Sequence, residues 1–163
     1  MAGNMQEDTV YEEDTQRGKY LTFSLDDEFF GIEIKHVTEI IGVQTITEVP
    51  EMPEYIRGII NLRGKIIPVM DVRLRFKKEF RDYNDRTCVI VVDINEVSIG
   101  LIVDQVSEVL AIAEENIVAP PELNHSSHTY IKAIGKVGDE VKLILDCDKL
   151  LNHEESEHLA NMG

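Results

Sequence analysis

The stretch GIEIKHVTEII at residues 31–41 returns as GLIVDQVSEVL at residues 100–110. Each copy opens on glycine and closes on Val, a hydroxyl residue, Glu and two apolar residues, and the offset between them is 69 residues. The same offset lays Leu21, Phe23, Leu25 and Phe30 on Ile90, Val92, Ile94 and Ile99. Further on, Tyr55-Ile56-Arg57-Gly58-Ile59 meets Tyr130-Ile131-Lys132-Ala133-Ile134, and Asp71 meets Asp146, now 75 residues apart. Six extra loop residues in the second half account for the drift. A period this long, used twice, lies outside the short units of solenoids and predicts two similar small subdomains packed face to face. The plainer reading is that alternating strands resemble each other for structural reasons alone.

Working outward, 163 residues suit one compact unit or two very small ones, burying about two thirds of the unfolded surface around one core. A formal charge of −15 and a pI near 4.6 repel phosphate backbones and anionic lipid, so nucleic acid and membrane surfaces are poor partners. No apolar run approaches the roughly 20 residues of a membrane span. The opening MAGNMQED lacks the basic and apolar stretches of a signal peptide, which predicts a cytoplasmic protein. Cys88 shares the parity of Ile90, Val92 and Ile94 and reads as a small hydrophobe on a buried strand face; a disulfide with Cys147 is disfavoured in a reducing compartment. Residues 1–17 carry Glu7, Asp8, Glu12, Glu13 and Asp14 against a single Arg17 and read as a disordered acidic tail. Residues 153–163 read as a polar C-terminal tail that frays.

Leu21, Phe23 and Leu25 alternate with Thr22, Ser24 and Asp26, and period two resumes from Phe30 to Ile34, predicting a hairpin. Val37, Ile40 and Ile41 fall at i, i+3 and i+4, which predicts a short helical turn, with Ile46 and Val49 in another strand. Ile59–Leu62 and Ile66–Val72 flank Arg63-Gly64-Lys65, a tight hairpin turn for which Gly64 can supply a positive backbone angle. Pro68 implies an edge strand or a bulge. In the second copy, hairpins are predicted from Cys88–Ile94 with Val97–Val103 and from Ile131–Val137 with Val141–Leu145, followed by a closing turn over Asp146–Leu151. Many short strands and few long helical patterns predict a mainly β chain of small closed barrels.

Reactive chemistry is sparse. Asp71 and Asp146 end equivalent strands and could serve as an acid–base pair, but a carboxylate between a strand and a helical turn is more simply an N-cap. His125 and His128 could hold a metal if Cys147 or a carboxylate joined them, which would suit a metal-dependent hydrolase; nothing supplies the rest of a ligand set, and both read as exposed loop residues. No metal, cofactor or catalytic site is therefore assigned, and no Walker loop, GxGxxG or GxSxG is present. Arg73, Arg75, Lys77, Lys78 and Arg81 form a basic stretch that reads as a solvated face or as a dock for an acidic partner. Glu39 and Glu108 recur at matched positions among apolar neighbours, as exposed strand-edge residues or as polar markers at a contact.

From Lys19 to about Asn152 the sequence resembles the CheW family of chemotaxis coupling proteins. The resemblance rests on FGIEI with VTEI at 30–40, on IRGIINLRGKIIPVMDVR at 56–73, and on IGLIVDQVSEV at 99–109. It implies, over residues 18–152, two intertwined SH3-like five-stranded β-barrel subdomains with a shared hydrophobic core and short helices. These run over roughly 20–76 and 88–151, with exchange of strands between them. It further implies a non-catalytic adaptor, monomeric alone, without cofactor, that couples the cytoplasmic helical tips of chemoreceptors to the regulatory domain of the histidine kinase CheA at membrane-associated arrays, without inserting in the membrane. On matching positions, receptor contact falls to Val37, Glu39, Gly58, Asn61, Arg63 and Val109; kinase-contact residues are not placed. The related CheV arrangement would need a receiver domain, and CheA itself would need phosphotransfer and ATP-binding parts. A scaffold serving another kinase would share the fold with a different partner.

Overall fold

The computed structural model describes residues 17–121, 130–151 and 153–160. Eleven strands are present among them: β1 Lys19–Leu25, β2 Glu28–Glu33, β3 Val37–Gly42, β4 Ile56–Leu62, β5 Lys65–Asp71, β6 Cys88–Ile94, β7 Val97–Val103, β8 Gln105–Ala111, β9 Ile117–Val118, β10 Ile131–Val137 and β11 Glu140–Leu145. Their order is β8-β1-β2-β11-β10-β9 in one sheet and β3-β6-β7-β5-β4 in the other. Each sheet thus holds a hairpin from the opposite half of the chain. β1–β2 sits between β8 and β11, and β6–β7 sits between β3 and β5. The two joints are equivalent: β2 runs parallel to β11 with Gly31 opposite Ile144, and β7 runs parallel to β5 with Gly100 opposite Val69.

These joints explain why glycine opens both copies of the repeated stretch. A Cβ at Gly100 would stand 2.6 Å from Val89 Cγ1 and 3.0 Å from Val69 Cγ1; one at Gly31 would stand 3.0 Å from Ile144 Cδ1. The strands approach closely enough that no side chain fits without displacing a buried neighbour.

Alternation then builds the core in three parts. Leu21, Phe23, Leu25, Ile90, Val92 and Ile94, the residues matched by the 69-residue offset, belong to the largest cluster, which draws on both sheets. The opposite faces of the same strands line two smaller clusters, Val89 and Val91 with Ile60, Ile67, Val69 and Ile102, and Tyr20 with Ile112 and Ile144. Apolar residues on both faces are what strands buried on both sides require.

The chain departs from expectation in five places. The sheets curl but do not close, and one has six strands rather than five, because the two-residue β9 adds an edge beside β10. Val37 to Gly42 is a strand and not a helical turn: a bulge at Thr38 sets Val37 against the main cluster and turns Glu39 and Ile41 to the opposite face, beside Val91 and Val89, and helical geometry is confined to the 3-10 turn Ile34–His36. The expected strand through Ile46 and Val49 reduces to one bridge, Thr47 to Ile59. Pro68 lies on an interior strand. Ile59, opposite it, directs its own N–H and carbonyl at Thr47, and pairing with β7 begins only at Val69, so no ladder bond falls on the missing proline N–H. Finally, the expected frayed tail contains a helix, His153–Ala160, whose Leu159 is 2% exposed in the main core.

Candidate functional site

The candidate residues gather first around the β4–β5 turn. Arg63 and Gly64 both take positive φ, 52° and 88°, as a two-residue turn between twisted strands requires. Asn61 Oδ1 accepts the Gly64 N–H at 2.8 Å, so the Asn side chain helps to set the turn. Held there, the Arg63 guanidinium reaches across to Glu39 on β3 and pairs with its carboxylate. β3 and β4 are opposite edges of the five-stranded sheet, so this pair spans the opening left by the unclosed curl. Arg63 remains 70% exposed at its side chain, which leaves guanidinium donors available to a partner.

Gly58, Val37 and Val109 stand differently. Gly58 is buried at φ 145°, at the register shift in the β4–β5 ladder, and a Cβ there would fall 2.1 Å from the Thr47 carbonyl oxygen. Its glycine is demanded by the backbone bridge that brings residues 46–47 onto β4. Val37 is half-buried against the main core at the start of β3. Val109 lies on β8, the edge of the other sheet, and is 51% exposed. The structure thus joins Glu39, Asn61 and Arg63 directly, sets Gly58 behind them as a backbone element, and places Val109 on a separate edge. Ile40, the residue matching Val109 at the 69-residue offset, is likewise exposed, so each half presents one apolar side chain from an equivalent edge strand.

The basic stretch is a solvated face only at Lys77 and Arg81; the other three residues are drawn inward and paired within the chain. Arg73 is 7% exposed; its Nη1 donates to Asp26 Oδ1 at 3.0 Å and to Asp104 Oδ2 at 2.8 Å, and its Nε donates to the Glu79 carbonyl. Arg81 pairs with the same two aspartates, and Lys78 pairs with Glu28. Arg75 donates to the Leu150 carbonyl and to Glu155 while its guanidinium lies over Tyr55 and Tyr130, pinning the C-terminal helix. The hydrogen bond from Arg73, reinforced by the charges of Arg73, Arg81 and Lys78, holds the Asp26 carboxyl below its ordinary range. The partners are remote in sequence and Arg73 matches Asp148 in the second copy, so the repeat gave no hint of this network.

Asp71 and Asp146 are caps. Asp71 accepts the Leu74 N–H at the helix Val72–Arg75 and the Tyr83 hydroxyl, and Asp146 accepts the Asp148 N–H at the 3-10 turn Cys147–Lys149. Asp71 ends β5 in one sheet and Asp146 follows β11 in the other, each with its carboxylate engaged at its own cap. His125 and His128 lie outside the described residues. Among the described residues no three His, Cys, Asp or Glu side chains gather as a metal ligand set, and no helix is long and apolar enough to cross a membrane. Both cysteines are free, and burial pushes the Cys147 thiol up to about 12.

Comparison with known proteins agrees with this architecture. The CheW-like domain model matches residues 19–155. A chemotaxis protein CheW of Klebsiella aerogenes is 35% identical over 146 residues, covering 89% of this chain and 88% of the relative. A CheW of Helicobacter pylori is 32% identical, covering 94% and 90%. The crystal structure of the scaffolding protein TtCheW from Thermoanaerobacter tengcongensis superposes with a TM-score of 0.79 at 38% identity, covering 86% of this chain and 96% of that one. The family match along the whole double-sheet unit, with relatives and a solved scaffold of the same fold, shows that the chain belongs to the CheW-like domain family, a family of chemotaxis scaffolds and not of enzymes.

Proposed function

We propose that the chain is an adaptor that couples the cytoplasmic helical tips of chemoreceptors to the regulatory domain of the histidine kinase CheA, working in the cytoplasm at receptor arrays and monomeric when alone. The observation that carries the reading is the match to the CheW-like model over residues 19–155. Receptor contact is assigned to Glu39, Asn61, Arg63 and Val109, with Val37 and Gly58 shaping the surface from beneath. Arg63 offers a fork-shaped donor for a carboxylate or for the carbonyls at a helix end, and the exposed Val109 offers contact area.

Coupling needs no reaction in this protein. A packed double sheet moves as a stiff body, so a shift at the receptor changes what the kinase meets, and the bias on the kinase is set by the difference in contact energy between its two states. Kinase activity measured with purified receptor fragment and CheA, with and without this protein, tests the reading. Receptor-dependent activity is expected only when the protein is present; activity indifferent to its addition defeats the proposal.

A further inference from the structure

Between the two halves the linker Phe76–Thr87 turns one aromatic side chain outward. Phe80 is 44% exposed, the Arg57 guanidinium of β4 lies 4.8 Å above its ring centroid, and Tyr83 meets the ring edge-on at 5.5 Å. The platform is anchored from behind, because the Tyr83 hydroxyl donates at 2.8 Å to Asp71, the buried cap of the helix that follows β5. Arg63, Arg73, Arg75 and Arg81 each hold a carboxylate of the chain, whereas Arg57, like the exposed Arg17 and Arg86, pairs with no described carboxylate; unlike those two it is half-buried, with its charge beside the Tyr83 hydroxyl. In a chain of net charge −15 that carries 31 acidic residues, a half-buried guanidinium stacked on an exposed ring and given no internal carboxylate is a vacancy of charge that the rest of the molecule could readily have filled.

We propose that Arg57 and Phe80 form a docking point for an acidic protein segment, whose carboxylate forks onto the guanidinium while a neighbouring apolar side chain covers the ring. The chemistry suits an interface anchor: arginine and aromatic residues are enriched where binding energy concentrates, and stacking on Phe80 holds the guanidinium plane in place before the partner arrives. Its location fits as well. Arg57 stands on β4 four residues before Asn61, so the docking point shares the strand that presents Asn61 and Arg63, about 13 Å from Asn61 along it. The inference takes its partners from the adaptor reading but not its residues.

The test measures affinity for two probes, a chemoreceptor cytoplasmic fragment and the CheA regulatory domain, with Arg57→Glu, Arg57→Lys and Phe80→Ser, beside Arg63→Ala and Val109→Asp. Arg57→Glu and Phe80→Ser are each expected to weaken one of the two probes by about tenfold or more, with Arg57→Lys intermediate because it keeps the charge and loses the fork. Should Arg57→Glu lower the melting temperature, Phe80→Ser decides, since its ring is largely outside the core. Affinities for both probes within about twofold of wild type overturn the docking point. If at the same time Arg63→Ala weakens receptor binding, the adaptor reading survives without it; loss confined to Arg57 and Phe80 keeps the docking point and removes the receptor contact assigned to Arg63 and Val109. A wild-type protein that binds neither probe overturns both.

Discussion

At the scale of single residues, structural and contact roles separate cleanly enough to be measured. Gly58→Ala drives a Cβ against the Thr47 carbonyl at a positive φ, so a loss of about 2–4 kcal/mol in urea unfolding is expected, and any loss of binding follows from displacement of residues 46–47. Arg63→Ala removes an exposed ion pair and should change stability by no more than about 1 kcal/mol while weakening receptor binding. A stable Gly58→Ala protein that fails to bind would make Gly58 itself a contact. Asp26 gives the pH dependence. Its folded pKa lies below the ordinary 3.8, chiefly through the Arg73 hydrogen bond, so its stabilising contribution is fully present above 3.8 and is lost as pH falls through the folded value. Unfolding midpoints taken from about pH 6 to about pH 3 should therefore fall less steeply in Asp26→Asn than in wild type; equal slopes would rule out the Arg73 contact as the cause.

At the scale of elements, what the sequence discloses depends on how far away the deciding partner is. Strands with apolar alternation, such as Leu21-Phe23-Leu25 and Ile90-Val92-Ile94, were legible because burial imposes a period of two on neighbouring residues. β3 was misread because a bulge at Thr38 breaks its period of two and because the face that carries Ile41 also carries Glu39, whose partner Arg63 lies 24 residues away. The basic stretch misled for the same reason: Arg73 is buried by Asp26 and Asp104, 47 and 31 residues distant. Of the candidate site, the residues were nameable from the motif, but not that Asn61 sets a turn or that Gly58 answers to Thr47. The C-terminal helix was hidden by its polar composition, since Leu159 is the one described residue of it that is buried. Eight residues do not hold a helix unaided, so docking must hold this one, through Leu159 and through Arg75 on Glu155. Leu159→Ala should cost about 2–4 kcal/mol in urea unfolding. A change below about 0.5 kcal/mol would show that the helix lies outside the cooperative unit.

At the scale of the whole molecule, the exchange of hairpins makes the two halves depend on each other. β1–β2 has its remaining sheet partners, β8 and β11, in the second half, and β6–β7 has β3 and β5 in the first. Residues 1–86 alone would leave β3 and the inner edge of β5 unpaired and strip one wall from the main cluster, which needs Ile90, Val92, Ile99 and Leu101 as much as Phe23 and Ile32. Residues 87–163 alone would leave β8 and β11 with bare edges in the same way. Neither half retains enough apolar burial to offset the conformational entropy of ordering it. Each fragment is therefore expected to be largely unfolded by circular dichroism, and an equimolar mixture should regain the sheet signal and a single cooperative melt. A half that folds by itself would mean that strands can close within one repeat, and that the exchanged arrangement is one of two competing topologies. Recovery only on mixing would instead locate the stiffness that the proposed coupling requires in the two parallel joints, Gly31 against Ile144 and Gly100 against Val69, where one half is built into the other.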